Sequence, residues 1–269
     1  MARPLSPLEL LDAGEPLVRI TVASARGSTP REKGTWMLVS AKAQAGTIGG
    51  GQLELAGVEK ARELLTSGET SAHLDIPLGP EIGQCCGGNV ALSFDRLDAA
   101  SHDALQAECR MEEDALPCVY VFGAGHVGKA LAEALSLLPV RTVLVESRKA
   151  ELDGATDRVK KRLTAVPESV IADAPAGSAY VTMTHEHAQD FIIVEQALQR
   201  LDAPYVGMIG SKTKLAQLRS WLKKEGGGAD PARLVCPIGG SQVRDKRPAV
   251  IAALVAAELM TVLGSQPQS

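Results

Sequence analysis

The sequence predicts an α/β protein in parts: an N-terminal α+β domain over residues 1–95, a helical linker over 96–116, and a C-terminal doubly wound parallel sheet over 117–269. Three observations predict it. Short strands and glycine-rich turns fill the first part around one clear helix. From residue 117 apolar strands alternate with helices, which implies right-handed βαβ units and a sheet covered on both faces. The first of those strand–helix junctions places glycines at 123, 125 and 128.

Taken in order, "LVRITVASARG" (17–27) is rich in β-branched residues and ends at Gly27, which predicts a strand, with "GTWMLVS" (34–40) as its partner. "GQLELAGVEKARELL" (51–65) repeats apolar residues at helical spacing. "SAHLDIPL" and "NVALSFDRL" predict two more strands, with a double cysteine at the turn between them. Residues 96–116 are charged and Ala-rich and predict the helical linker; His102 and Cys109 belong to its faces. Beyond it the strands are "CVYVF", "RTVLVES", a weak one in "KKRLTAV" followed by a short helix, "SAYVTMTH", "YVGMIGS" and "RLVCPIG". The helices are "HVGKALAEALSLL", "AQDFIIVEQALQRL", "KTKLAQLRSWLKKEG" and a last one over "KRPAVIAALVAAELMTVLG". No repeat of solenoid period interrupts this order.

Composition narrows the function. The chain has 269 residues, 45% of them apolar and only 3% aromatic, with a net charge of −4. No basic tract marks a nucleic-acid partner. The N-terminal segment has no apolar run of signal-peptide length, and the longest apolar segment is interrupted by Glu258, so no membrane span is expected and the reading is cytoplasmic. Five cysteines, an odd number, do not suggest a disulfide framework.

The junction "YVFGAGHVG" has the G-x-G-x-x-G spacing of a dinucleotide-binding turn, which makes the C-terminal sheet Rossmann-like. Gly123 allows the tight turn, Gly125 lets backbone approach a pyrophosphate, and Gly128 permits close helix–strand packing. The helix opened by His126 then offers free N–H groups to an anion. Glu146 ends the next strand, where an acid bonds a ribose hydroxyl, and Arg148 follows it. The turn serves NAD(P), another phosphate-bearing ligand, or packing alone.

Three further places carry chemistry. "THEHAQD" sets His185, His187 and Asp190 past a parallel strand, which suits a metal, a proton shuttle or an ordinary helix start. Ser211 and Lys212, with Gly210 and Gly239, end later strands at the same edge and suit a phosphorylated ligand or structural turns. In the first part Gly49, Gly50 and Gly51 precede a helix and form a candidate anion nest, with Arg31 on a nearby loop as a second anion contact. The glycine-flanked Cys85 and Cys86 of "IGQCCGGNV" complete a glycine-lined site with thiols.

The blocks "GSTPRE", "GTIGGGQLE", "GQCCGG", "VFGAGHVG", "THEHAQD", "YVGMIGSKTK", "CPIG" and "KRPAVIAALVAAEL" stand in this order. Together they resemble the XdhC/CoxI family, accessory proteins of xanthine dehydrogenase and related molybdenum hydroxylases, over nearly the whole chain. The resemblance implies a maturation factor rather than a catalyst. Such a protein binds molybdenum cofactor (molybdopterin), supports its sulfuration together with a cysteine desulfurase, and delivers it to the apo-hydroxylase. Molybdenum accepts soft thiolates, so Cys85, ahead of Cys86, is the expected metal contact. Two departures from the family pattern are Glu146, where Asp is expected, and the second glycine after "CPIG". The alternative is an NAD(P)-dependent oxidoreductase using Gly123, Gly125, Gly128 and Glu146, with His185 as acid/base. A third reading is a metal-dependent hydrolase on His185, His187 and Asp190. A homodimer is expected only as the commonest oligomer.

Overall fold

The computed structural model describes residues 5–78, 88–225, 229–240 and 243–264. The chain divides into two compact units, Met1–Glu113 and Asp114–Ser269.

The first unit is built on a five-stranded antiparallel sheet in the order β3-β2-β1-β5-β4. Its strands are β1 (Val18–Arg26), β2 (Trp36–Val39), β3 (Gln44–Gly46), β4 (Ser71–Pro77) and β5 (Asn89–Arg96). Alternation sorts their side chains by face. Val18, Ile20, Val22, Met37, Val39, Leu92 and Phe94 pack with Leu53, Val58, Ala61 and Leu64 of α2 (Gly51–Ser67). Leu38, between Met37 and Val39, belongs to a second cluster with Leu10 and Leu11 of α1 (Pro7–Asp12) and Leu105 and Cys109 of α3 (Ala99–Ala115). The segment 96–116 read from sequence as a helical linker does hold a helix, and the buried stripe of that helix packs on the first unit. Gly57 lets α2 lie low on the sheet: a Cβ there would stand 3.3–3.6 Å from Ile48, Ile20 and Leu92.

The second unit is a six-stranded parallel sheet in the order β11-β10-β9-β6-β7-β8. Its strands are β6 (Cys118–Phe122), β7 (Arg141–Glu146), β8 (Lys160–Leu163), β9 (Ala179–Thr182), β10 (Val206–Met208) and β11 (Leu234–Val235). The chain runs outward from β6 through β7 to β8, then returns to β9 on the other side, which is the doubly wound order. Every residue of β6 is buried. Val119 and Val121 face one cluster with Leu131 and Leu135 of α4 (His126–Leu135) and Val255 and Leu259 of α8 (Pro248–Leu263). Cys118, Tyr120 and Phe122 face the other, with Ile193 and Leu198 of α6 (His187–Gln199) and Leu218 and Leu222 of α7 (Lys212–Glu225). A one-turn helix α5 (Lys149–Asp153), not expected from sequence, links β7 to β8. Among the described residues no helix is long and apolar enough to cross a membrane.

The turn from β6 into α4 depends on two glycines for packing. Gly123 has φ +106°, and a Cβ there would stand 2.6 Å from the Met183 carbonyl oxygen. A Cβ on Gly128 would stand 1.8 Å from the Gly123 carbonyl oxygen. Gly125 differs: its φ of −69° and ψ of −172° suit any residue, and nothing lies within 4 Å of its would-be Cβ. Gly128→Ala is expected to destabilise the chain by about 1–3 kcal/mol or more through overpacking against backbone. Gly125→Ala is expected to cost under about 1 kcal/mol, the price of a poorer helix N-cap. Thermal unfolding of the two variants beside wild type checks the ordering.

Candidate functional site

The carboxyl ends of the parallel strands carry the chemistry of the second unit, and the switch point falls between β6 and β9. There the Gly123 N–H donates to the Val145 carbonyl at 2.9 Å, locking the turn to β7. No side chain caps α4, whose N-cap is Gly125. The first N–H groups of a helix have no partner within it, and this end presents them without a capping side chain. Gly125 adds no side chain at the same place. His126 stands exposed at the first helical position.

Glu146 does not wait for a ribose. Its Oε2 accepts from the Ala124 N–H at 2.8 Å and from Arg148 Nη2 at 3.1 Å. Its Oε1 accepts from the Ser147 and Arg148 N–H groups at 2.9 and 3.1 Å, from Ser147 Oγ at 3.3 Å and from Arg148 Nε at 3.1 Å. Burial alone would raise this carboxyl, but the hydrogen bonds from Arg148 and the backbone outweigh it and hold it down to about 2. Six donors crowd an acceptor with about four lone-pair sites. A ribose diol would have to displace Arg148.

At the end of β9 the expected constellation is not brought together. His185 and His187 are exposed, and His185 Nε2 lies 3.2 Å from Glu186. Asp190 is fully buried. Its Oδ1 accepts from the Thr184 N–H at 3.0 Å and Thr184 Oγ1 at 2.6 Å, and its Oδ2 takes the ammonium of Lys214. Lys214 also donates to the Ile209 carbonyl at 3.2 Å. One buried ion pair thus ties the β9 turn, α6, the end of β10 and α7. Among the described residues no three His, Cys, Asp or Glu groups gather to hold a metal ion. With both oxygens of Asp190 committed, the His185–His187–Asp190 hydrolase has no ligand set. Sequence reading missed Lys214; it lies two residues beyond Lys212, and only its 3.6-residue phase relative to Leu218 and Leu222 marks it as inward.

Ser211 and Lys212 fall elsewhere, at the ends of β10 and β11. Ser211 Oγ accepts from the Lys214 N–H at 3.2 Å and so caps α7. Both line a groove of ≈ 740 Å³ with Arg219, Lys223 and Cys236. Burial pushes the Cys236 thiol up, against the lowering pull of Lys214 and Arg219.

In the first unit the glycine nest already has its anion. Glu54, in the first turn of α2, accepts from the Gly50 N–H at 3.2 Å, Thr47 Oγ1 at 2.7 Å and Gln44 Nε2 at 3.0 Å. The Gly49 N–H donates to Thr47 Oγ1 at 3.2 Å. Gly49 packs on Pro30, where a Cβ would stand 2.5 Å from Cγ; Gly51 opens α2 with φ +60°. Arg31 is exposed. A Cβ on Gly88 would stand 2.5 Å from the Ser28 carbonyl oxygen, so the end of the "QCCGG" segment lies on the "GSTPRE" loop. Cys85 and Cys86 lie outside the described residues.

Comparison with known proteins decides what this arrangement belongs to. Residues 119–259, over half the chain, match the family model of the XdhC Rossmann domain, and residues 10–76 match that of the XdhC and CoxI family. The chain belongs to the XdhC/CoxI family. A curated relative, "Uncharacterized protein YqeB" of Escherichia coli K12, is 23% identical over 269 residues. The match takes in 94% of this chain but 44% of that protein, so the XdhC-type chain spans less than half of its relative. A crystal structure described as a xanthine dehydrogenase from Bacillus halodurans superposes with a TM-score of 0.77 at 18% identity, covering 98% of this chain and 97% of that one. At that identity the likeness speaks for the fold.

Two outcomes follow for this family member. Glu146, whose folded carboxyl titrates near 2 against an ordinary 4.5, contributes stability that is present above pH 4.5 and is lost as pH falls through 2. Glu146→Gln is expected to lower stability at pH 7 by about 1–3 kcal/mol and to flatten that acid limb, read by denaturant unfolding across pH. Asp190→Asn, which leaves the Lys214 ammonium buried and unpaired, is expected to cost about 3–5 kcal/mol, and adding Lys214→Met is expected to restore part of it.

Proposed function

We propose that this protein is a maturation factor for a molybdenum hydroxylase of the xanthine dehydrogenase type. It binds molybdenum cofactor, supports its sulfuration with sulfur from a cysteine desulfurase, and passes it to the apo-enzyme. The observation that supports the reading is family membership expressed in both units, through separate models over 10–76 and 119–259.

The residues present fit the phosphate end of such a ligand. The uncapped N-terminus of α4 supplies N–H donors and a positive dipole end, and Gly125 leaves open the space that a side chain would fill. Cys85 is the residue this reading assigns to the metal end, because molybdenum favours soft thiolates. When bound, the cofactor supplies the redox chemistry of the recipient hydroxylase. This chain's part is to bind the phosphate, exclude bulky side chains from it and present a thiol.

The dinucleotide alternative asks Glu146 for lone pairs that Arg148 and the backbone already hold. Among the described residues, the charged group placed beside His185 is the exposed Glu186, its chain neighbour, at 3.2 Å.

The deciding experiment is an anaerobic titration of released molybdenum cofactor into wild type, Cys85→Ala and Cys86→Ala, with NAD⁺ and NADP⁺ run alongside by calorimetry. Wild type is expected to bind the cofactor and not the dinucleotides, with affinity reduced about tenfold or more in Cys85→Ala. Saturable NAD⁺ binding without cofactor binding would replace this reading with the oxidoreductase one.

A further inference from the structure

The groove at the ends of β10 and β11 is separate from the fingerprint crevice. In the sheet β9 stands between β10 and β6, and the groove lining shares no residue with the glycine turn, Glu146 or Arg148. Its volume of ≈ 740 Å³ is that of a small-molecule site.

Its charge is one-sided. Among the described residues Lys212, Arg219 and Lys223 line it, and no carboxylate does. Steps of seven and four residues put the three on one face of α7. Arg219 and Lys223, four apart, repel each other along that helix. None of the three has an ion-pair partner among the described residues. This happens in a chain with 32 acidic residues and a net charge of −4. Lys214 on the same helix shows the contrast: it is buried, and Asp190 answers its charge.

The rest of the lining sets the shape. Ala216, Leu215 and Pro237 contribute apolar surface to the lining, and Ser211 and Ser220 contribute hydroxyls. Small apolar groups beside the cations suit a flat ring, and a planar guanidinium beside two ammonium groups suits a phosphate dianion.

We propose that this groove binds a phosphorylated small molecule, at least doubly negative, whose flat apolar body lies along Ala216, Leu215 and Pro237. The site is additional to the one in the maturation reading and stands without it.

The test is calorimetric titration of the full chain at low ionic strength with riboflavin phosphate, riboflavin and inorganic pyrophosphate. Wild type and the double variant Arg219→Glu/Lys223→Glu are compared, with circular dichroism to show each is folded; both reversed residues are exposed. Riboflavin phosphate is expected to bind the charge-reversed variant about tenfold or more weakly than wild type. The affinity lost on charge reversal belongs to the groove; it is expected to be smaller for riboflavin, which lacks phosphate, and for pyrophosphate, which lacks a ring. Riboflavin phosphate binding unchanged by charge reversal, or absent in wild type, would overturn the proposal. A loss for pyrophosphate as large as that for riboflavin phosphate would overturn the assignment of the flat body.

Discussion

The close approach of α4 to β6 governs the second unit. With the Gly123 carbonyl directly under the Gly128 α-carbon, any side chain at 128 meets backbone, which has nowhere to go. That contact fixes the height of α4 above the sheet and so where its N-terminal N–H groups point. The same turn is held from its other sides: the Gly123 N–H by Val145 and the Ala124 N–H by Glu146. These contacts fix the backbone of the turn by packing and hydrogen bonds of the chain itself.

A second constraint organises the neighbouring strand ends. The Asp190–Lys214 pair is buried and satisfied by Thr184 and Ile209, so it specifies how α6 and α7 sit over β9 and β10. A buried pair of this kind is weak evidence for net stability but strong evidence for a fixed arrangement, since either partner alone is costly. It also settles what Asp190 is for. A carboxylate three and five residues beyond two histidines looks like a ligand in sequence, yet its oxygens are directed inward.

Much of the fold was legible because burial writes itself into period. The all-apolar "CVYVF" marks a strand covered on both faces, and its two clusters divide its side chains alternately. The fingerprint glycines were legible by spacing: Gly123 and Gly128 have the close backbone contacts that their packing roles require, while nothing lies within 4 Å of a Cβ at Gly125. Less legible was what depends on two distant residues meeting. Nothing in "VLVESR" says that Arg148 folds back onto Glu146, and nothing in "KTKL" says that Lys214 rather than Lys212 goes inward. The charged segment 96–116 looked like a helical linker because the buried stripe of its helix is thin: Leu105 and Cys109 are the buried residues.

The chain's own carboxylates complete the account of its anion sites. Glycine-rich backbone before a helix attracts negative charge wherever it occurs. At Gly49–Gly51 that charge is Glu54, one turn into the same helix, and the nest is closed by the chain itself. At Ala124 it is Glu146, brought from the adjacent strand and clamped by Arg148. Among the described residues, α4 has no capping side chain and the α7 cations of the groove have no ion-pair partner. The donors at Gly50 and Ala124 are already spent on the chain's own carboxylates, so those two places serve the structure.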